Sequence, residues 1–91
     1  MQVRVYATLR DLLGASTIDL DINLPTDVEQ VLRQAVAAYP QLADKLWDAD
    51  HSLSGFIQVL VNGRSIQFLA GLATPVTDGD RVDLFPPVGG G

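Results

Sequence analysis

The stretch TIDLDINLPTDVEQVLRQAVAAYP, residues 17–40, decides the fold because its hydrophobic period changes partway along. Up to Leu24 the apolar residues fall on every second position: Ile18, Leu20, Ile22 and Leu24 share one face, and Thr17, Asp19, Asp21 and Asn23 share the other. That period of two predicts a half-buried strand. Pro25 ends it. Beyond Pro25, Val28, Leu32, Ala35, Val36 and Tyr39 recur at helical spacing, with Glu29, Arg33 and Gln34 left toward solvent. Thr26 and Glu29 have capping-box spacing, so the helix is expected to start at Thr26. Pro40 stops it by removing a donor and restricting Tyr39.

Upstream, residues 3–10 also alternate, with Val3, Val5, Ala7 and Leu9 opposite Arg4, Tyr6, Thr8 and Arg10. A strand over 3–10, a loop over 11–16 and a second strand over 17–24 make an opening hairpin. Downstream of Pro40, residues 41–47 suit a short second helix with Leu42, Leu46 and Trp47 on its apolar side, and 48–55 read as a polar loop. Ile57, Val59 and Val61 define a third strand. Asn62-Gly63 signals a type I′ turn, whose two central residues both need positive φ. Residues 64–69 then form a fourth strand, 70–76 a crossing loop, Asp78-Gly79-Asp80 a turn, and 81–85 a last strand with Val82 and Leu84 inward.

Hairpin, helix, hairpin and strand together predict an α+β chain with a mixed sheet and one main helix packed on one face. That is the β-grasp, or ubiquitin-like, roll. A ferredoxin-like alternative needs a second full helix late in the chain. Only eleven residues separate Leu69 from Arg81, and Gly71 and Pro75 interrupt them. The expected organisation is a β-grasp domain over 1–85 followed by an extended tail over 86–91.

Ninety-one residues at 47% hydrophobic and 19% charged fit one small folded unit. Such a chain buries about 60–65% of its unfolded surface, too little for a deep private cavity. Six basic against eleven acidic residues leave a net charge of −5, which repels phosphate backbones and anionic bilayers alike; neither nucleic-acid nor membrane binding is expected. There is no cysteine and one histidine, His51, so thiol nucleophiles, thiolate zinc sites and histidine clusters are excluded. No apolar run nears the ~20 residues of a membrane span, and the amino-terminal segment has no signal-peptide core, which points to a cytoplasmic protein. No glycine-rich phosphate loop precedes a helix, so nucleotide binding by this chain is not expected, and no cofactor of its own is expected.

The unusual feature is the ending, Phe85-Pro86-Pro87-Val88-Gly89-Gly90-Gly91. The two prolines favour an extended exit from the last strand, and the glycines add no side chains. Stretched, residues 86–91 reach ~20 Å, presenting the final carboxylate on a thin arm. Terminal glycines alone suit a frayed end or a linker; placed directly after a rigid Pro-Pro they suit a functional arm. A free carboxylate is ionised at neutral pH and a poor electrophile, so reaction requires activation, commonly adenylation by ATP. Glycine passes a narrow activating channel because it lacks Cβ.

VRVYATLRDLLG (residues 3–14), TDVEQVLRQ (26–34) and TPVTDGDRVDLFPPVGGG (74–91) resemble the opening, helix start and closing segment of the MoaD/ThiS family of sulfur carrier proteins, and the resemblance spans nearly the whole chain. It implies that Gly91, behind Gly90, is adenylated and converted to a thiocarboxylate that donates sulfur. The expected partners are an adenylating enzyme of the ubiquitin-activating type, which uses the ATP, a sulfurtransferase, and an acceptor enzyme such as the molybdopterin synthase large subunit. The chain would then be a co-substrate rather than an enzyme. The FPPV ending looks most like the small subunit of molybdopterin synthase, in molybdenum cofactor biosynthesis. FLAGLATPVTDGD (68–80) is also similar to carriers of the CysO type, for cysteine synthesis, and to small archaeal modifiers joined to lysines. Gly89, where many relatives carry Ala, Ser or Thr, departs from the pattern.

Tyr6, Leu60 and Phe85 fall opposite Val5, Val59 and Leu84, on the sheet face the helix leaves open. With Pro86, Pro87, Val88 and Gly89 they are the expected partner contacts, and the resemblance implies docking through this side. Packing beneath a loop is the alternative for Tyr6 and Leu60. Arg10 is expected to pair with Asp11, steering of an acidic partner being the alternative. Asp48, Asp50 and His51 read as solvated loop charges rather than a metal site, and Trp47 as core cover.

Overall fold

The computed structural model describes residues 1–55 and 57–86; the expectations placed on Pro87, Val88, Gly89, Gly90 and Gly91 lie outside the described residues. In chain order the elements are β1 (Gln2–Val5), α1 (Ala7–Leu13), β2 (Thr17–Asp19), β3 (Thr26–Asp27), α2 (Val28–Ala38), α3 (Ala43–Leu46), β4 (Gln58–Val61), β5 (Arg64–Ser65), β6 (Pro75–Val76) and β7 (Val82–Phe85). Single 3-10 turns cover Pro40–Leu42, Ile66–Phe68 and Gly71–Ala73. Five strands form one mixed sheet in the order β2-β1-β7-β4-β5, and β3 pairs with β6 in a small ladder beside it. β7 runs parallel to β1 and antiparallel to β4, so the last strand lies at the centre. This is the β-grasp roll expected from the period change.

The alternation explains the core. Val3 and Val5 of β1, Val82 and Leu84 of β7, Val59 and Val61 of β4, and Ile18 of β2 are all buried. Val28, Val31, Leu32 and Ala35 of α2 belong to the same cluster, completing two layers. Each Val, Leu and Ile among them contributes about 1.5–3 kcal/mol by leaving water.

Local boundaries differ from the sequence expectation in six places. The strand expected over 3–10 ends at Val5, where Ala7 takes φ 51° and the chain enters α1. Leu9 and Leu13, four apart, turn one side of that helix inward, a pairing that alternation over a short window imitates. Gly14, at φ 69°, caps the helix by donating its N–H to the Arg10 carbonyl; an L side chain strains that backbone, although space is open there. The β1–β2 pair is antiparallel as expected, but a helix joins it in place of the loop over 11–16.

The ladder of β2 stops at Asp19, short of the expected Leu24, because β1 runs out: Leu20 N–H reaches the carbonyl of Met1 and no partner remains. The burial alternation nevertheless persists to Leu24. Asp27, not Thr26, caps α2, its carboxylate accepting from the Gln30 N–H at 2.9 Å. Thr26 is instead taken up in pairing with Val76, and Glu29 turns to Arg33 at 3.1 Å. The fourth strand is cut to Arg64–Ser65 because the Ser65 hydroxyl accepts from the Gln67 N–H and starts a 3-10 turn. The expected crossing loop carries a second such turn and β6.

Asn62 and Gly63 adopt φ 52° and 83°, as the hairpin requires. Asn62 also ties this hairpin to the Asp78-Gly79-Asp80 turn. Its amide donates to Asp80 at 2.9 Å and its carbonyl oxygen accepts from the Arg81 N–H at 2.9 Å. The Thr77 N–H, the Asn62 amide and the Thr77 hydroxyl, in that order, hold the Asp80 carboxyl below the usual carboxylate range. A carboxyl more acidic in the folded state lends stability that is fully present above its unfolded pKa and lost as pH falls through its lower folded value. Asp80→Asn is therefore expected to melt below the wild type at neutral pH, with the gap closing on acidification below about pH 4. Thermal denaturation of both proteins across that range checks this, and a gap independent of pH would contradict it.

Candidate functional site

The open face of the sheet is where the expected contact residues meet. Tyr6 follows β1 in extended conformation, at φ −129° and ψ 158°, which continues the alternation and turns its ring outward. Phe85 closes β7. The two rings stack with centroids 4.1 Å apart and planes 7° from parallel. The register sets Leu60 of β4 opposite Asp83 and Gln58 opposite Phe85, so Leu60 sits one strand away on the same face. Tyr6, Leu60 and Phe85 are each half-buried. Phe68, carried out by the turn after β5, is 86% exposed and shares a groove of about 520 Å³ with Leu60, Gln58 and Arg64.

A carboxylate that the sequence reading passed over fixes this arrangement. Asp83 is 3% exposed, although it points away from the core between Val82 and Leu84. The Tyr6 hydroxyl donates to its Oδ1 at 3.2 Å and Arg81 Nε donates to its Oδ2 at 3.1 Å. Burying a carboxylate is costly unless it is paired, and both oxygens are used here. The result locks the Tyr6 ring against Phe85 at the point where the chain leaves the sheet. Part of the signal was present: alternation through Val82-Asp83-Leu84 puts the acid on the outer face, and the parallel register with β1 brings it beside Tyr6.

The surrounding charge opposes the net charge. Arg4 and Arg10 line a groove of about 340 Å³ with Tyr6, Ser16 and Thr17, Arg64 lines the Leu60 groove, and Arg81 flanks Asp83. Four of the six basic residues thus border the open face of a chain with eleven acidic ones. The described ion pairs are Arg33 with Glu29 and Arg81 with Asp83, so the expected Arg10–Asp11 pair does not form.

Pro86 departs from the grouping. It is buried, and it lines a separate groove of about 220 Å³ with Thr8, Leu9, Asp44, Lys45, Ser54 and Ile57. The strand end therefore divides its residues: Phe85 toward the open face, Pro86 toward α1 and α3. The loop of Asp48, Asp50 and His51 builds no metal site; among the described residues no acid and histidine cluster suited to a metal occurs. Asp50 is held below the usual carboxylate range by the Ser52 hydroxyl, at 2.6 Å, and by the Ser52 N–H. Trp47 packs against the core, with the Arg33 guanidinium 5.2 Å from its ring centroid. No helix among the described residues is long and apolar enough to cross a membrane.

The chain matches the ThiS family over residues 3–91. It is 38% identical to small archaeal modifier protein 3 of Haloferax volcanii, over 100% of this chain and 98% of that protein. It is 33% identical to the molybdopterin synthase sulfur carrier subunit of Escherichia coli, over 100% and 99%. A crystal structure of small archaeal modifier protein 1 from Haloferax volcanii superposes with a TM-score of 0.88 at 33% identity, covering 100% of this chain and 98% of that one.

Proposed function

Because the chain belongs to the ThiS family of ubiquitin-like sulfur carriers, we propose that its final glycine, Gly91, is the group that carries the chemistry and that the open sheet face is where activating and acceptor enzymes dock. The single observation behind this reading is the locked Tyr6–Phe85 stack on Asp83, which fixes the end of the central strand beside an apolar, arginine-bordered surface. From that point the sequence runs through Pro86 and Pro87 to Gly90 and Gly91.

The chemistry is adenylation followed by sulfur transfer. The Gly91 carboxylate attacks the α-phosphorus of ATP in the activating enzyme, pyrophosphate leaves, and an acyl adenylate forms. The persulfide of a sulfurtransferase attacks the acyl carbon, AMP leaves, and a thiol reductant cleaves the S–S bond to leave a thiocarboxylate. This chain contributes recognition and delivery. Its docking face is apolar at the centre and cationic at the border, suited to an apolar pocket rimmed with carboxylates. For the acceptor, the FPPV ending and the molybdopterin synthase relative support the large subunit of that enzyme. A second reading has its own support in the relative of 38% identity, a small archaeal modifier: a lysine amine attacks the same acyl adenylate in place of sulfur.

Leu60→Ala tests the face. Truncating an apolar anchor at the centre of an interface costs on the order of 1–2 kcal/mol, about tenfold in affinity. In ATP–pyrophosphate exchange with the activating enzyme, KM for the chain is expected to rise about that much with kcat unchanged. An unaltered KM would remove Leu60 from the docking surface.

A further inference from the structure

The sequence contains a single lysine, Lys45, and the fold leaves it exposed on α3. The α-amino group, the other amine of the chain, is partly buried and donates to the Leu20 carbonyl at 2.9 Å. Lys45 takes part in neither of the described ion pairs. It lines the groove that also holds Pro86, on the side of the strand end away from Tyr6 and Phe85. An enzyme seated on the open face would therefore leave this amine uncovered.

We propose that Lys45 is the acceptor through which a second copy of this chain becomes attached, so that any homopolymer has one linkage type and cannot branch. This rests on the acyl adenylate reading of Gly91. The unprotonated Nζ of Lys45 in one copy attacks the Gly91 acyl carbon of another, which the activating enzyme has charged with ATP. The C–O bond to AMP breaks, an amide C–N bond forms, AMP departs, and the nitrogen gives up a proton to solvent. Each copy offers one such amine and one such carboxyl, which restricts growth to a line.

The test incubates the full chain with its activating enzyme and ATP and digests the products with trypsin. Modified Lys45 resists cleavage, so the diagnostic product is peptide 34–64 bearing the branch Val82–Gly91. That branched peptide is expected in wild type and absent from Lys45→Arg, which keeps the charge and still supports pyrophosphate exchange. Exchange without any branched peptide overturns the Lys45 assignment and leaves the activation of Gly91 standing. Dimers that persist in Lys45→Arg through the α-amino group overturn it as well. No exchange at all, in wild type, overturns both.

Discussion

Deleting Gly90 and Gly91 is expected to abolish charging while leaving the fold intact. Among the described residues the buried hydrophobic core runs from Val3 to Leu84, ahead of this pair. The thermal midpoint should stay within about 2–4 °C, in line with changes away from packed features costing within about 0.5 kcal/mol. Activation, by contrast, depends on bringing the carboxylate to the α-phosphorus in a near-attack geometry. Misplacing a reacting group by about 1 Å already costs about a hundredfold, and the deletion removes two whole residues of reach. ATP–pyrophosphate exchange should fall by more than that factor. Competition should survive: the truncated chain keeps Tyr6, Leu60 and Phe85 and should inhibit charging of the full-length chain. Loss of exchange with loss of competition would place the docking determinants in the tail instead.

The second large effect concerns stability. Leu84 is fully buried in β7, opposite Val5 on one side and Val59 on the other, in the core cluster that β7 shares with α2. Leu84→Ala removes its packing and leaves a cavity that flanking strands, held in register on both sides, cannot easily close. The expected cost is about 2–5 kcal/mol, against a total of roughly 5–13 kcal/mol for a chain of this size. Each kcal/mol lowers the midpoint by about 4–8 °C in a domain of this length, so calorimetry should show a fall of at least about 8 °C. Leu60→Ala, half-exposed on the other face of the adjacent strand, should cost well under half as much. Equal losses would mean that the open face is packed as tightly as the core.

Much of this architecture was legible because the core is two-faced and each face writes a period. The alternation of Val3 and Val5, the switch at Pro25 and the Asn62-Gly63 turn each reflect a local physical constraint, and all three reappear in the fold. What stayed hidden depended on partners distant in sequence. Thr26 is a good cap in isolation, but Val76 recruits it to a ladder and Asp27 takes its place. Residues 7–13 read as strand or loop because Leu9 and Leu13 fit two periods over so short a window. The arginine-bordered face could not be read from a net charge of −5, since only the sheet order brings Arg4, Arg10, Arg64 and Arg81 around it. Tyr6, Leu60 and Phe85 were found by alternation alone. Alternation also puts Asp83 on that outer face, but its place within reach of the Tyr6 hydroxyl needed the parallel pairing of the first strand with the last.

Intact-mass and tryptic mass spectrometry of the chain recovered from its native cells addresses the central claim most directly. The peptide Val82–Gly91 should appear in part with one oxygen replaced by sulfur, or joined through Gly91 to an acceptor amine. Recovery of that peptide solely as the free carboxylate, with its activating enzyme and ATP present, would contradict the account.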